Sequence, residues 1–93
     1  MMFERAYSTR FKRDFRLAKR RGKDLSLIEE VIDLLAKGER LSLEYRDHPL
    51  KGRYKGFREC HIEDDWLLIY KIEKGLLLLV LFRTGTHQDL FDE

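Results

Sequence analysis

Many of the side chains that could do acid–base chemistry lie close together in one stretch, Asp47–Trp66. This stretch contains two of the three histidines, the only cysteine, the only proline, four cationic side chains and five carboxylates. A strand that served only a core would alternate apolar and polar residues and would contain few titratable groups. Because ionisable and aromatic residues alternate here instead, the pattern indicates a surface that handles a charged ligand.

The three histidines and the carboxylates near them are the candidate catalytic groups. His48 lies in a predicted loop, His61 shares one face of a predicted strand with Glu59, and His87 follows the predicted exit of the last strand. Each of them alone is more often an ordinary polar side chain, and Asp65 is typical of a turn. Three histidines at the edges of one sheet nevertheless favour a catalytic site.

Two kinds of chemistry fit these residues. One is metal binding by Cys60 and the histidines. However, Cys60 and His61 are neighbours on a predicted strand and point to opposite faces, and the sequence has no C-x-x-C or H-x-x-x-H spacing. The other is metal-free cleavage of RNA, in which histidine and carboxylate transfer protons while Arg or Lys stabilises the charged transition state. Because RNA supplies its own 2′-hydroxyl nucleophile, we expect no metal and no cofactor.

Charge is distributed unevenly along the chain, although the net charge is only +2. Residues 1–23 hold nine Lys or Arg and two acids, whereas residues 24–50 hold three Lys or Arg and seven acids. Residues 51–58 then add four positive charges, and residues 59–65 add four negative ones. Basic patches of this kind bind a polyanion such as nucleic acid, or they form the solvated face of a helix.

The length of 93 residues predicts one domain, 1–93, with one modest core. A single cysteine cannot form an intramolecular disulfide, and the first residues lack the apolar centre of a signal peptide. The longest apolar run, Leu76–Phe82, is far shorter than the roughly 20 residues that a membrane helix needs. We therefore expect a cytoplasmic protein without a membrane segment.

The spacing of apolar residues predicts the element order β-α-α-β-β-β. The predicted strands are Phe3–Tyr7, Tyr54–Ile62, Trp66–Glu73 and Leu76–Thr84. One helix runs from a cap at Ser8 or Thr9 to about Arg21, and a second is capped by Ser26 with Glu29 and stops at Gly38. Lys74-Gly75 is predicted as a tight turn in which Gly75 has a positive φ, and Thr86–Phe91 as a helical turn or an extension.

These elements predict an α+β fold, in which an N-terminal strand and an antiparallel helix hairpin pack on one face of a mainly antiparallel sheet. The run Leu76–Phe82 is apolar on both faces, whereas the helices cover only one. Small proteins seldom expose a large apolar patch without a partner. We therefore expect a binding partner to cover the second face.

Three blocks of the sequence resemble the YafQ-like toxins, which belong to the RelE/ParE superfamily of type II toxin–antitoxin systems. The blocks are D-H-P-L-K-G at 47–52, G-F-R-E-C-H-I-E-D-D-W-L-L-I-Y-K-I at 56–72 and F-R-T-G-T-H-Q-D-L-F at 82–91. The resemblance implies a RelE-like fold and an endoribonuclease, an mRNA interferase, that cuts messenger RNA in the ribosomal A site. It implies as partners a cognate antitoxin in a heterotetramer, messenger RNA on the ribosome, ribosomal RNA, and operator DNA only through the antitoxin.

The resemblance also assigns roles to individual residues. It implies a catalytic group of His48, His61, Asp65 and His87, substrate contacts by Arg83 and Phe91, and RNA binding by Lys51, Arg53 and Lys55. Glu59 stands where some relatives have aspartate and is an accessory candidate. In the implied mechanism His87 protonates the departing 5′-oxygen, His61 or Asp65 acts as the base or orients it, and His48 holds the phosphate or tunes its neighbours.

Two other functions fit the same sequence. A non-enzymatic RNA- or protein-binding module would use the histidines only to shape a surface, and its RNA binding would survive the loss of His87 without any cut products. A toxin that acts on a protein target such as gyrase would leave messenger RNA intact.

Overall fold

A five-stranded sheet carries three helices in the computed structural model, which describes residues 2–92. The elements are β1 (Glu4–Tyr7), α1 (Thr9–Arg20), α2 (Leu25–Ala36), β2 (His48–Pro49), β3 (Arg58–Glu63), β4 (Trp66–Glu73), β5 (Leu78–Gly85) and α3 (His87–Phe91). The strand order is β1-β5-β4-β3-β2, with β1 parallel to β5 and the other pairs antiparallel. The predicted α+β fold is confirmed. Across the described residues no helix is both long enough and apolar enough to cross a membrane.

The two long helices begin at side-chain caps. The hydroxyl of Ser8 accepts a hydrogen bond from the amide of Phe11 at 2.9 Å, as predicted for α1. For α2 the predicted cap at Ser26 is wrong. Asp24 is the N-cap, and its carboxylate accepts from the amide of Ser26 at 3.1 Å. Ser26 therefore lies inside the first turn, because an acceptor two residues earlier already satisfies its amide.

Strand β3 begins four residues later than predicted. Gly52–Tyr54 forms a short 3₁₀ turn, and Gly56 has a φ of 95° that only glycine adopts easily, so the chain becomes extended at Arg58. The ring of Tyr54 is buried away from the ladder. The sequence also gave no sign that His48–Pro49 would pair with β3 as a short edge strand.

The connection between β4 and β5 differs from the predicted tight turn. Lys74–Leu76 forms a 3₁₀ turn, and Leu77 rather than Gly75 has a positive φ, of 50°. Strand β5 therefore begins at Leu78, two residues later than predicted, and leaves Leu76 and Leu77 exposed.

Apolar side chains form one cluster on each face of the sheet. The larger cluster lies under α1 and α2 and includes Phe11, Ile28, Cys60, Trp66 and Leu81. The second consists of Tyr54, Leu67, Ile69 and Leu90, with Leu50, Phe57, Phe82 and Phe91 packed against it. The second face of the last strand, which we expected a binding partner to cover, is therefore covered in part without one. The chain itself covers this face at Phe82, whose ring stacks on Phe57 at 4.5 Å.

Candidate active site

Strand β3 divides its side chains between the two faces of the sheet. Cys60 and Ile62 pack into the cluster under the helices, whereas Phe57 belongs to the cluster on the opposite face. Glu59 and His61 alternate with these residues along the strand, and an oxygen of Glu59 lies within 4.8 Å of a ring nitrogen of His61, so both point to that opposite face. The predicted sharing of one face by Glu59 and His61 is confirmed.

His87 and Asp65 come together although 22 residues separate them. Asp65 lies in the turn before β4, and His87 is the first residue of α3. One oxygen of Asp65, Oδ1, accepts from the backbone amide of His87 at 2.8 Å and lies 2.7 Å from Nδ1 of its ring. These two hydrogen bonds lower the pKa of Asp65, and the bond from the backbone amide has the larger effect. Nδ1 is thus occupied, and Nε2 of His87 is the ring nitrogen available for proton transfer.

Glu59 is a buried carboxylate, only 5% exposed, and it pairs with His48 across the β2–β3 ladder. Its Oε2 lies 3.1 Å from Nε2 of His48, while Nδ1 of His48 lies 2.8 Å from the carbonyl of Arg46. An imidazolium satisfies both of these acceptors with its two N–H donors. Within residues 2–92, the second oxygen of Glu59, Oε1, is buried and has no hydrogen-bond partner.

Glu59 also lies close to the two remaining histidines, His61 and His87. One oxygen of Glu59 and one nitrogen each of His61 and His87 all lie within 4.8 Å of one another. The rings of His61 and His87 are 5.8 Å apart, and Nδ1 of His61 lies 3.3 Å from the carbonyl of Asp64. The structure thus brings together the four residues of the expected catalytic group, with Glu59 at their centre. We call this set the histidine cluster: His48, Glu59, His61, Asp65 and His87.

Two nitrogens and one carboxylate oxygen also match the ligands that zinc and copper prefer. Glu59, His61 and His87 provide such a set. Their spacing in the sequence did not suggest it, because they come from β3 and from the distant start of α3. Cys60 takes no part, because it is fully buried in the cluster under the helices, and this burial raises the pKa of its thiol.

Phe91 and its neighbours form one wall beside the histidine cluster. The ring of Phe91 lies 6.4 Å from that of His87 and makes an edge contact with Tyr54 at 5.4 Å. Tyr54 Oη and Arg53 Nη2 both donate to the carbonyl of Leu90, at 3.0 and 2.8 Å, so they fix the end of α3. Sequence reasoning missed Tyr54, for which no motif gave a signal.

The basic residues expected to contact substrate are placed differently from one another. Lys51 and Lys55 are exposed. A pocket of about 300 Å³ between α1 and α3 is lined in part by Arg10, Arg53 and Arg83. Arg83 nevertheless makes a largely buried pair with Asp14, through bonds of 2.8 and 3.0 Å, so its guanidinium is also part of the contact between α1 and β5.

Comparison with known proteins finds relatives that match nearly the whole chain. Residues 3–92 match the family described as bacterial toxin of type II toxin-antitoxin system, YafQ. The chain is 43% identical over 86 residues to the mRNA interferase toxin YafQ of Escherichia coli strain K12, covering 91% of each protein. It is 40% identical to a chain of the crystal structure of the E. coli DinJ-YafQ toxin-antitoxin complex, covering 98% of this chain and 99% of that one, with a TM-score of 0.89.

A third similar protein is a toxin from another bacterium. The chain is 42% identical to the metal-bound toxin from Helicobacter pylori, whose crystal structure it matches with a TM-score of 0.88 over 98% of this chain and 100% of that one. The family match covers nearly the whole chain, and the identities exceed what a shared fold alone would produce. The chain therefore belongs to the YafQ family, the toxins of bacterial type II toxin–antitoxin systems.

Proposed function

We propose that this protein is a type II toxin and an endoribonuclease that cleaves messenger RNA by metal-free acid–base catalysis. The observation that carries the proposal is the histidine cluster, in which Asp65 occupies Nδ1 of His87 and a buried carboxylate joins the other histidines. Similarity to the mRNA interferase toxin YafQ of E. coli supports the choice of RNA as substrate.

The reaction begins at the 2′-hydroxyl of the nucleotide before the scissile bond. The neutral imidazole of His61 takes the hydroxyl proton, and the 2′-oxygen attacks the adjacent phosphorus. As the bond from phosphorus to the 5′-oxygen breaks, the His87 imidazolium gives its Nε2 proton to that oxygen. The products are a 2′,3′-cyclic phosphate and a free 5′-hydroxyl. Proton exchange with water returns both histidines to their starting states.

The carboxylates support the histidines in this scheme. Asp65 is held by two bonds from His87, and its lowered pKa keeps it ionised, so it serves as counter-charge to the imidazolium and is a poor base. Glu59 is too buried to reach a substrate hydroxyl, and its charge stabilises the imidazolium that forms on His61. His48 fixes the Glu59 carboxylate.

The proposed substrate is messenger RNA in the ribosomal A site. The exposed side chains Lys51 and Lys55 contact RNA phosphates together with Arg53 and the basic residues of α1, and Phe91 stacks against a base. Nε and Nη2 of Arg83 already donate to Asp14, so Arg83 contacts the scissile phosphate through its remaining N–H donors.

An antitoxin is the proposed partner, in a toxin–antitoxin heterotetramer that contacts operator DNA only through the antitoxin. The E. coli complex of DinJ with YafQ supports the pairing of this fold with an antitoxin. Exposed apolar side chains at Leu76 and Leu77, just before β5, give such a partner a surface to cover.

The test replaces the proposed acid. His87→Ala removes a proton-transfer contribution worth about 10²–10⁴ in rate, whereas ribosome affinity, set by Lys and Arg, should stay unchanged. Cleavage is measured by mapping RNA ends on programmed ribosomes, with Gln88→Ala as the control, because Gln88 is the exposed neighbour of His87 on α3. Cleavage by folded His87→Ala at the rate of Gln88→Ala would refute the mechanism. Intact messenger RNA with wild-type toxin would favour a binding module or a protein target.

A second role is favoured by one observation, the ligand set of Glu59, His61 and His87. We propose that a transition metal ion binds these residues and inhibits the toxin, because it takes the nitrogens that must exchange protons. The metal-bound H. pylori toxin supports this proposal. Added Zn²⁺ or Cu²⁺ should slow cleavage, and a chelator selective for transition metals should not. Loss of cleavage in the chelator would contradict the metal-free mechanism.

A further inference from the structure

Helix α1 contacts the segment that carries His87 at two points seven residues apart. Asp14 accepts from the side chain of Arg83 and from the amide of Thr84, the latter at 3.1 Å. Arg21, the C-cap residue of α1, binds Asp89 in α3. Residues i and i+7 lie on the same face of a helix, so one face of α1 holds both sides of the turn from β5 into α3.

Asp89 connects the Arg21 contact to the backbone around His87. Its carboxylate accepts from the amide of Thr86 at 3.0 Å, and the hydroxyl of Thr86 accepts from the amide of Asp89 at 3.0 Å, which completes a capping box. The pattern T-x-x-D at residues 86–89 is the sequence signature of this box. His87 lies inside this box, between Thr86 and Asp89.

The Arg21–Asp89 pair has the geometry of a specific contact. Arg21 donates from Nη1 and Nη2 to the two carboxylate oxygens, at 2.7 and 3.3 Å. The Arg21 guanidinium is the largest cause of a lowered pKa of Asp89, at about 2, so the pair is ionised at any physiological pH. A Cβ on residue 85 would lie 2.9 Å from Oδ2 of Asp89, and glycine at this position therefore permits the close approach.

We propose that Arg21 and Asp89 are positioning residues that hold the start of α3, and with it His87, in place for proton transfer. Asp65 holds His87 from the side of the turn before β4, and the Arg21–Asp89 pair holds it from the side of α1. A five-residue helix is too short to be stable by itself, so its position depends on such contacts. This inference rests on the proposed ribonuclease function, because it assigns the pair a role in that reaction.

The test uses two matched variants, Arg21→Gln and Arg5→Gln. Each removes one arginine from an exposed Arg–Asp pair, since Arg5 pairs with Asp33 between β1 and α2, and the arginines are 41% and 37% exposed. Both variants lose the same charge, but only Arg21 contacts α3. We measure kcat and KM for RNA cleavage on ribosomes, and the exchange rates of the α3 amide hydrogens by NMR.

Arg21→Gln should lower kcat about tenfold with KM within about twofold, because a misplaced acid affects the transition state more than substrate binding. The α3 amides should exchange faster, Arg21→Lys should recover part of kcat, and Asp89→Asn should repeat the defect. Arg5→Gln should match wild type in every measurement. A raised KM at unchanged kcat would make Arg21 an RNA contact and would overturn the proposal, as would equal kcat values for the two glutamine variants.

If the proposed ribonuclease function is wrong, the same experiment gives a different pattern of results. If wild-type protein cleaves no RNA, the ribonuclease assignment fails whatever Arg21 does. The amide exchange rates then still decide whether the pair holds α3, because faster exchange in Arg21→Gln alone supports the contact and unchanged exchange overturns it.

Discussion

Replacing Asp14 by alanine should destabilise the protein far more than replacing Asp33 by alanine, although each aspartate pairs with an arginine. Asp14 and Arg83 are only 13% and 11% exposed, whereas Asp33 and Arg5 are 51% and 37% exposed. Asp14 accepts two bonds from Arg83 and one from the amide of Thr84. Its removal leaves a largely buried guanidinium and a backbone donor without their acceptor.

Breaking a buried ion pair by removing one partner costs about 3–5 kcal/mol, whereas an exposed pair contributes about 0–1 kcal/mol. For a domain of this size each kcal/mol lowers Tm by about 4–8 °C, so Asp14→Ala should lose at least about 12 °C. The free energy of unfolding is measured in urea from the fluorescence of Trp66, the only tryptophan, which is buried. Similar losses in the two alanine variants, within about 1 kcal/mol, would refute the buried-pair argument.

A double variant separates the structural role of Arg83 from its expected contact with substrate. Asp14→Leu with Arg83→Met replaces the pair by apolar side chains of similar size, a change that is often neutral for stability, and the remaining cost is the lost acceptor of the Thr84 amide. If this variant is stable but cleaves RNA slowly, the Arg83 guanidinium also acts on the phosphate. If it is stable and fully active, the role that family resemblance implied for Arg83 is wrong.

Three further predictions concern single carboxylates and the cysteine. Asp65→Asn keeps an oxygen that accepts both hydrogen bonds from His87, but it loses the negative charge beside the imidazolium. Cleavage should therefore slow roughly ten- to a hundredfold at unchanged ribosome affinity. An unchanged cleavage rate would leave Asp65 only a structural role. Cys60 should not react with a thiol reagent at pH 8 until urea unfolds the protein, because burial raises its pKa. The pKa of Asp89, about 2, lies below the roughly 3.9 of an unfolded chain, so its stabilisation is complete above about pH 4 and is lost toward about pH 2. The difference in urea midpoint between wild type and Asp89→Asn should therefore shrink as the pH falls below about 4.

Sequence patterns predicted those elements whose local and tertiary preferences agree. Strand β4 was predicted with its observed bounds, Trp66–Glu73, because a continuous apolar run between two polar turns allows few other interpretations. The cap error at Ser26 was local, because Asp24 lies only two residues earlier, whereas the error at the start of β3 arose where a neighbour in space changed the local preference. Tyrosine is common in strands, so Tyr54 was predicted as a strand residue. In the structure its hydroxyl donates to the carbonyl of Leu90, 36 residues away, and Tyr54 lies outside β3.

The site was predictable in its residue types but not in its bonds. Alternation along β3 is a local property, and it placed Glu59 and His61 on one face. The pairing of His48 with Glu59 depends on the register between β2 and β3, and the bonds from His87 to Asp65 depend on where α3 begins. Neither the register of a two-residue strand nor the start of a five-residue helix follows from composition, and so the central position of Glu59 emerged only from the structure.

The central position of Glu59 gives a reason for a buried carboxylate that costs folding free energy in so small a protein. A buried polar atom without a partner typically costs about 1–3 kcal/mol, and Oε1 of Glu59 is such an atom among the described residues. An apolar side chain there would suit the packing of Leu67 and Ile69 on the same face, but it would remove the one buried negative charge beside His48, His61 and His87. A negative charge in a region of low dielectric acts strongly on neighbouring imidazoles, because little water screens it. In the proposed mechanism, the cost to folding and the electrostatic support for proton transfer thus have the same origin, the burial of Glu59.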